Sequence, residues 1–176
     1  FGSLTPANDG TVYMVGGGPA TSASLYAWRG LHVEGEVARV VASSSSKQLP
    51  SDFISLPKPV DFPSSLGSSF GYYYPPTNPD VHGSDEVAPP LLVKAHGGPT
   101  ACTSTAFNPT IQFFTSRGFA VLDVDYGGST GYGRDYRRRL RGQWGVVDVD
   151  DVCAGAQYLV SQGLADPKRL AIDGGS

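Results

Sequence analysis

Three short apolar runs alternate with two helical segments from residue 89 onward, and this alternation limits the fold more than any other feature. The apolar runs are Leu91–Ala95, Phe119–Val124 and Arg169–Ile172. Pro109–Ser116 and Val146–Gln162 lie between them and have the apolar spacing of helices. A strand–helix–strand–helix–strand order predicts a mostly parallel sheet with right-handed crossovers, and therefore an α/β fold.

The first fifty residues follow a different pattern, with short strands between glycine-rich turns. Val12–Val15, Leu25–Trp28 and Glu36–Val41 are rich in β-branched and aromatic residues. Their spacing of roughly a dozen residues is typical of a β-meander, such as a propeller blade or part of a β-sandwich. A proline-rich stretch from Leu49 to Pro63 disfavours a helix or a central strand, so we place a domain boundary near residue 52.

Composition and charge exclude several classes of function. The net charge is −3, whereas nucleic-acid-binding domains usually carry a basic surplus, so we expect no nucleic-acid partner. No apolar stretch approaches the ~18–20 residues of a membrane span, and we expect a soluble protein with no membrane partner. Cys102 and Cys153 are too few for a disulfide framework or a four-thiolate zinc site. We expect both to be small buried residues. We also expect an intracellular protein, and one that needs no metal or cofactor.

Three serines are candidates for a nucleophile in the Gly-x-Ser-x-Gly pattern, where the serine occupies a sharp strand-to-helix turn. Ser69 and Ser129 match the whole string, and Ser176 matches its first three positions. Ser69 is expected to be an ordinary turn serine. Gly131 and Gly133 disfavour a helix directly after Ser129. Ser176 follows the third apolar run, as a nucleophile should, although the pattern alone fits a loop serine equally well.

His96, Gly97, Gly98 and Pro99 directly follow the first apolar run. In hydrolases whose nucleophile follows the Gly-x-Ser-x-Gly rule, an amide of this loop stabilises the oxyanion, and paired glycines let the substrate approach the backbone. An isolated sequence of this kind is more often a simple turn. Its position upstream of Ser176 makes the functional interpretation informative.

A basic cluster follows the Ser129 loop. A solvated surface is the expected role, with an acidic partner or a substrate carboxylate as the alternative. His32 and His82 have no cysteine or aspartate at ligand spacing and are expected on the surface. The cluster comprises Arg134, Arg137, Arg138, Arg139 and Arg141.

Five stretches together resemble the prolyl oligopeptidase family of serine peptidases, within it the acylaminoacyl-peptidase and dipeptidyl-peptidase-like branch. They are residues 70–79, 96–99, 125–134, 144–149 and 166–176, in the order and spacing of that family. The resemblance runs from about Phe53 to Ser176. It implies a β-propeller ahead of an α/β-hydrolase domain. Residues 1–52 would then be the strand-rich tail of the propeller, and residues 53–176 the N-terminal part of the hydrolase domain.

The resemblance also implies the site residues. Ser176 would be the nucleophile, Ser129 would lie in a structural loop, and His96, Gly97 and Gly98 would form the oxyanion and substrate loop. The family's catalytic Asp and His follow the nucleophile, so we expect a fragment that ends at the nucleophile and is inactive by itself. The substrate would be a short or N-acylated peptide, and homo-oligomers of the parent protein are compatible with the family.

Two alternatives stay open from the sequence. An esterase or lipase could use the same scaffold, although the strands before residue 52 favour the peptidase. A non-catalytic protein with a propeller and a hydrolase domain could use the fold for binding alone.

Overall fold

The structure is a computed structural model that describes residues 2–30, 35–47, 49–84 and 87–175. The chain divides into two compact units. The first contains Phe1–Ser51 with Thr105–Asn108, and the second contains Asp52–Ser104 with Pro109–Ser176.

The first unit is a four-stranded antiparallel sheet in which consecutive strands are neighbours. Its strands are β1 (Gly2–Pro6), β2 (Val12–Gly18), β3 (Thr21–Trp28) and β4 (Arg39–Ser43). The meander expected from the sequence is confirmed, but β1 was not predicted because it lacks a β-branched or aromatic run. The third expected strand begins later than its sequence suggested, at Arg39, and the Glu36 carbonyl accepts a hydrogen bond from the Trp28 indole at 3.0 Å.

The second unit is a five-stranded mixed sheet in the order β5-β6-β8-β7-β9. The three apolar runs form its parallel part, in which β8 and β9 flank β7. Both β5–β6 and β6–β8 pair in antiparallel fashion. The strands are β5 (Lys58–Ser64), β6 (Gly67–Tyr74), β7 (Leu91–Ala95), β8 (Ala120–Asp125) and β9 (Leu170–Gly174).

Strand β5 contains Pro59 and Pro63 and was not predicted. It lies at the edge of the sheet, where a proline without an N–H group does not break a ladder between two neighbours. The prolines therefore excluded a central strand, as expected, but not an edge strand.

Helices cover both faces of this sheet. Helix α3 (Val147–Ser161) packs Leu159 and Val152 on the face that carries Leu122 and Val124. Helix α1 (Pro109–Thr115) packs on the other face, which carries Leu92 and Val121.

A third helix, α2 (Arg134–Arg138), is short and was not predicted. It begins only after Gly131 and Gly133, which agrees with the expectation that no helix starts directly after Ser129. No helix among the described residues is long and apolar enough to cross a membrane.

Candidate active site

A cavity of about 370 Å³ opens beside the carboxyl ends of β7 and β9. In open α/β sheets, ligands bind in the crevice outside these strand ends. The cavity brings the loop after β7 together with Gly174 and Gly175, which directly precede Ser176. Its lining is Ala95, His96, Gly97, Gly98, Pro99, Tyr126, Trp144, Asp148, Val149, Val152, Cys153, Ile172, Gly174 and Gly175.

Tyr126, at the end of β8, holds the loop that follows β7. Its hydroxyl donates to the His96 carbonyl at 2.7 Å, and the two rings stack with centroids 4.4 Å apart. Gly98 has a φ of 136°, where a side chain would be strained, and it is exposed. Gly97 is half-buried. A substrate can therefore approach the backbone of this loop closely.

His96 and Ser129 form a close contact that resembles half of a catalytic triad. His96 Nε2 lies 2.7 Å from the Ser129 hydroxyl and 3.8 Å from Asp125 Oδ1. In a triad the serine and the carboxylate occupy opposite nitrogens of the ring. Here both face Nε2, while Nδ1 lies 2.9 Å from the Gly97 carbonyl. Ser129 is also 0% exposed, so a substrate carbonyl has no path to its hydroxyl.

Asp125 ties the end of β8 to two loops. Its carboxylate accepts hydrogen bonds from the Thr103 amide at 2.7 Å and from the Thr103 and Tyr132 hydroxyls at 3.1 and 2.7 Å. Burial raises the pKa of Tyr132, and its hydrogen bond to Asp125 adds to that effect. The contacts fix Asp125 as a structural carboxylate.

The glycines before Ser129 are explained by packing. The Gly127 amide donates to Asp151 Oδ2 at 2.6 Å, and a Cβ on Gly127 would lie 2.7 Å from Val147 Cγ1. Gly128 has a φ of 115°. The string around Ser129 thus serves a tight loop under α3, with no helix continuing from the serine.

Asp123 is a second buried carboxyl on the same face of β8 as Asp125. Burial raises its pKa to about 6, and the neighbouring Asp125 adds to the rise, while Lys94 and His96 oppose it. Lys94 is opposite Asp123 in the sheet register and forms an ion pair with Asp173 at 2.5 Å. Several charged side chains therefore lie close together near the carboxyl ends of β7, β8 and β9.

The structure places the other candidates as follows. Ser69 is fully buried inside β6, so the expected turn position is wrong; β6 begins at Gly67 and includes it. His82 is exposed, as expected. Ser176 and His32 lie outside the described residues.

The expectation that both cysteines are buried is also wrong. Cys102 is exposed on the loop that follows β7, and Cys153 is exposed on α3, where it lines the cavity. Neither cysteine belongs to the hydrophobic clusters that pack against the sheet of the second unit. No group of three or more His, Cys, Asp or Glu side chains within the described ranges could hold a metal ion.

Sequence reasoning assigned no role to Tyr126, Asp125 or Trp144. Tyr126 and Asp125 were readable in principle, since they come at the carboxyl end of β8 and so share an edge of the sheet with His96. Trp144, which is 69% exposed and lines the cavity, begins one of the stretches that carry the family resemblance, but no local pattern indicated a role at the site.

Comparisons with known proteins identify a matching family model and several similar proteins. Residues 105–176 match the model of the prolyl oligopeptidase family. Dipeptidyl aminopeptidase BIII of Pseudoxanthomonas mexicana is 37% identical over 94 residues, which cover 53% of this chain and 14% of that protein. The acylamino-acid-releasing enzyme of Arabidopsis thaliana is 37% identical over 87 residues, covering 49% of this chain and 11% of that enzyme.

Solved structures match nearly the whole chain. A puromycin-hydrolyzing peptidase of Mycobacterium tuberculosis is 43% identical with a TM-score of 0.89, over 95% of this chain and 25% of that one. A puromycin hydrolase is 38% identical with a TM-score of 0.89, over 98% of this chain and 26% of that one. The chain thus spans about a quarter of the solved relatives and a smaller share of the curated ones.

Proposed function

We propose that the chain belongs to the prolyl oligopeptidase family and that the protein is a serine-type peptidase that cleaves short or N-acylated peptides by acyl transfer. One observation carries the proposal. The cavity at the carboxyl ends of β7 and β9 is lined both by the His96–Gly98 loop and by Gly174 and Gly175, which lead directly into Ser176.

The chemistry follows from that juxtaposition. The Ser176 hydroxyl attacks the substrate carbonyl, the amide bond to the leaving amine breaks, and water then hydrolyses the acyl-enzyme. Backbone amides stabilise the negative charge on the carbonyl oxygen in the tetrahedral intermediates. We assign one of these donors to the Gly97–Gly98 loop and the other to the residue after the nucleophile, as in hydrolases of this type.

The general base is not assigned to His96. Its Nε2 is engaged by the buried Ser129 hydroxyl, and its Nδ1 faces the Gly97 carbonyl. His82 is exposed on the loop before β7 and does not line the cavity. In α/β-hydrolases the triad acid and histidine follow the nucleophile in the chain, and we propose the same order here.

A substrate panel tests the proposal on the purified full-length protein. It contains an N-acyl peptide, a dipeptide amide, puromycin and a short-chain ester. Puromycin is included because two similar solved structures are named for its hydrolysis. A peptidase cleaves at least one of the amides. Turnover of the ester alone would favour the esterase alternative, and turnover of no substrate would favour a binding protein.

We also propose that the protein acts inside the cell. The described cysteines, Cys102 and Cys153, are exposed free thiols, which persist best in a reducing compartment. Cell fractionation tests the location; recovery from the culture medium would contradict it. Homo-oligomerisation of the parent protein is measured by light scattering of the same preparation.

A further inference from the structure

Four arginines share one surface of the segment that follows the Ser129 loop. Arg134, Arg137, Arg138 and Arg141 are spaced i, i+3, i+4 and i+7, which places them on one face of α2 and the turn after it. All four are exposed.

Together with two hydroxyl groups, these arginines line a cavity of about 650 Å³. We call it the arginine basin, lined by Thr100, Thr130, Arg134, Arg137, Arg138 and Arg141. Every polar side chain of this set can donate a hydrogen bond, and none carries a negative charge. Such a lining suits an anionic ligand.

The described residues supply little compensating charge. Within the described residues, Arg138 of the basin forms an ion pair with Asp135 at 3.9 Å, and the Asp135 side chain is fully exposed. Like charges at i and i+4, such as Arg134 and Arg138 on α2, destabilise a helix. The basin therefore carries a small stability cost that a bound anion would relieve.

Packing does not explain the four arginines. The opposite face of the same segment supplies the buried contacts, through Tyr136 and Leu140. Arg139 is the arginine of this segment with a structural role: it lies over the Tyr136 ring at 4.5 Å and donates to the Ser68 carbonyl at 2.8 Å.

The basin adjoins the candidate active site. Thr100 is two residues after Gly98, and Thr130 directly follows Ser129, whose hydroxyl contacts His96. The Thr130 amide donates to the Ala101 carbonyl at 2.8 Å and so joins the two loops. A peptide with its scissile bond at the Gly97–Gly98 loop would have neighbouring residues close to the basin.

We propose that the arginine basin binds the carboxylate side chain of an acidic peptide substrate and so gives the enzyme a preference for Glu or Asp near the scissile bond. This inference rests on the proposed peptidase function. Arginine's planar fork matches a carboxylate, and the two threonine hydroxyls can complete its hydrogen bonds. A nucleic acid is disfavoured because the chain as a whole carries a net charge of −3.

The test compares peptide substrates that differ only by Glu or Gln at each position flanking the scissile bond. In the full-length protein, we expect the Glu peptide of at least one pair to have a kcat/KM about tenfold higher, the scale of a charged hydrogen bond. Arg137→Gln/Arg141→Gln should remove this ratio while leaving turnover of the Gln peptides within twofold. Lys58→Gln/Lys168→Gln loses the same charge at exposed sites outside the basin and should keep the ratio.

Equal rates for Glu and Gln peptides at every position would overturn the proposal, as would a ratio that survives in the arginine variant. A direct binding measurement separates this outcome from failure of the proposed function. If no peptide is cleaved, fluorescence anisotropy of a labelled Glu peptide still detects the basin, with loss of binding expected only in the arginine variant. Charge-dependent binding of single-stranded RNA without binding of the Glu peptide would contradict it.

Discussion

At the scale of single residues, the contacts of His96 explain why a complete motif is misleading. Ser129 matches the full nucleophile string and contacts a histidine at 2.7 Å, yet it is completely buried and its loop continues into glycines. The sequence disfavoured it because of the glycines that follow, and the family resemblance placed it in a structural loop. Its partner His96 was selected for the backbone amides of its loop, and the structure gives its ring a separate role in that loop.

The long-range contacts of these residues could not be read from the sequence. The His96–Gly98 loop was predicted because its signal is local: two glycines directly after an apolar strand. Tyr126 reaches the His96 carbonyl from a different strand, and Thr103 reaches Asp125 from a loop 22 positions away. Such partners depend on which strands become neighbours, and the order β8-β7-β9 is not written in any local pattern.

Asp123 makes a residue-scale prediction for pH dependence. Its pKa is raised from 3.8 to about 6, mainly by burial, so the folded state binds more protons than the unfolded state between these values. Stability therefore falls as the pH rises from about 4 to about 6, by up to roughly 3 kcal/mol for this group. Asp123→Asn cannot titrate and should lack that fall.

Denaturation midpoints at pH 4.5 and 7.5 measure the difference in the full-length protein. The control is Asp61→Asn, because Asp61 is exposed on the neighbouring edge strand β5. We expect the control to keep the wild-type pH dependence. An Asp123→Asn protein that weakens with pH as much as the wild type would contradict the assignment.

At the scale of secondary structure elements, the apolar runs and the long helix were predictable and the edges were not. Strands β7, β8 and β9 and helix α3 begin and end within one or two residues of the predicted bounds. Strand β5 was not predicted because its prolines oppose strand formation except at the edge of a sheet. Which strand lies at the edge is decided by the whole sheet and not by a local pattern. Helix α2 was not predicted because it is only five residues long and directly follows two glycines, Gly131 and Gly133.

The pairing of β6 with β8 makes an element-scale prediction. A Cβ on Gly71 would lie 2.7 Å from the Asp123 carbonyl oxygen and 3.3 Å from Val124 Cα, both backbone atoms that cannot rotate away. Gly71→Ala should therefore separate the two strands and cost about 1–3 kcal/mol. Gly83→Ala is the matched control, since a Cβ on Gly83 meets nothing within 4 Å.

Thermal unfolding of the full-length protein distinguishes the two variants. The Gly71→Ala protein should melt several degrees below both the wild type and the control. Coincident melting of all three proteins would show that the strands tolerate the added methyl group and that the close approach is not required.

At the scale of the whole molecule, two sheets of different construction are the main feature. The sequence indicated a β-meander followed by a mostly parallel sheet, from a hydrophobic pattern that changes character after the proline-rich stretch. The observed second sheet is mixed, because β5 and β6 add antiparallel pairs to the parallel strands. The division into compact units falls between Ser51 and Asp52, with Thr105–Asn108 joining the first unit. No local sequence pattern predicts that Thr105–Asn108 belong to the first unit, because this assignment depends on contacts between residues distant in the chain.

We propose that Ser176, rather than Ser129, is the nucleophile. This proposal is tested in the full-length protein by fluorophosphonate labelling and peptide turnover of Ser176→Ala and Ser129→Ala. We predict that Ser176→Ala loses the label and that its kcat falls on the order of 10⁶-fold, as for other serine nucleophiles. Ser129→Ala should keep the label, with a changed rate because His96 loses its partner. A label that vanishes in Ser129→Ala and survives in Ser176→Ala would contradict the account.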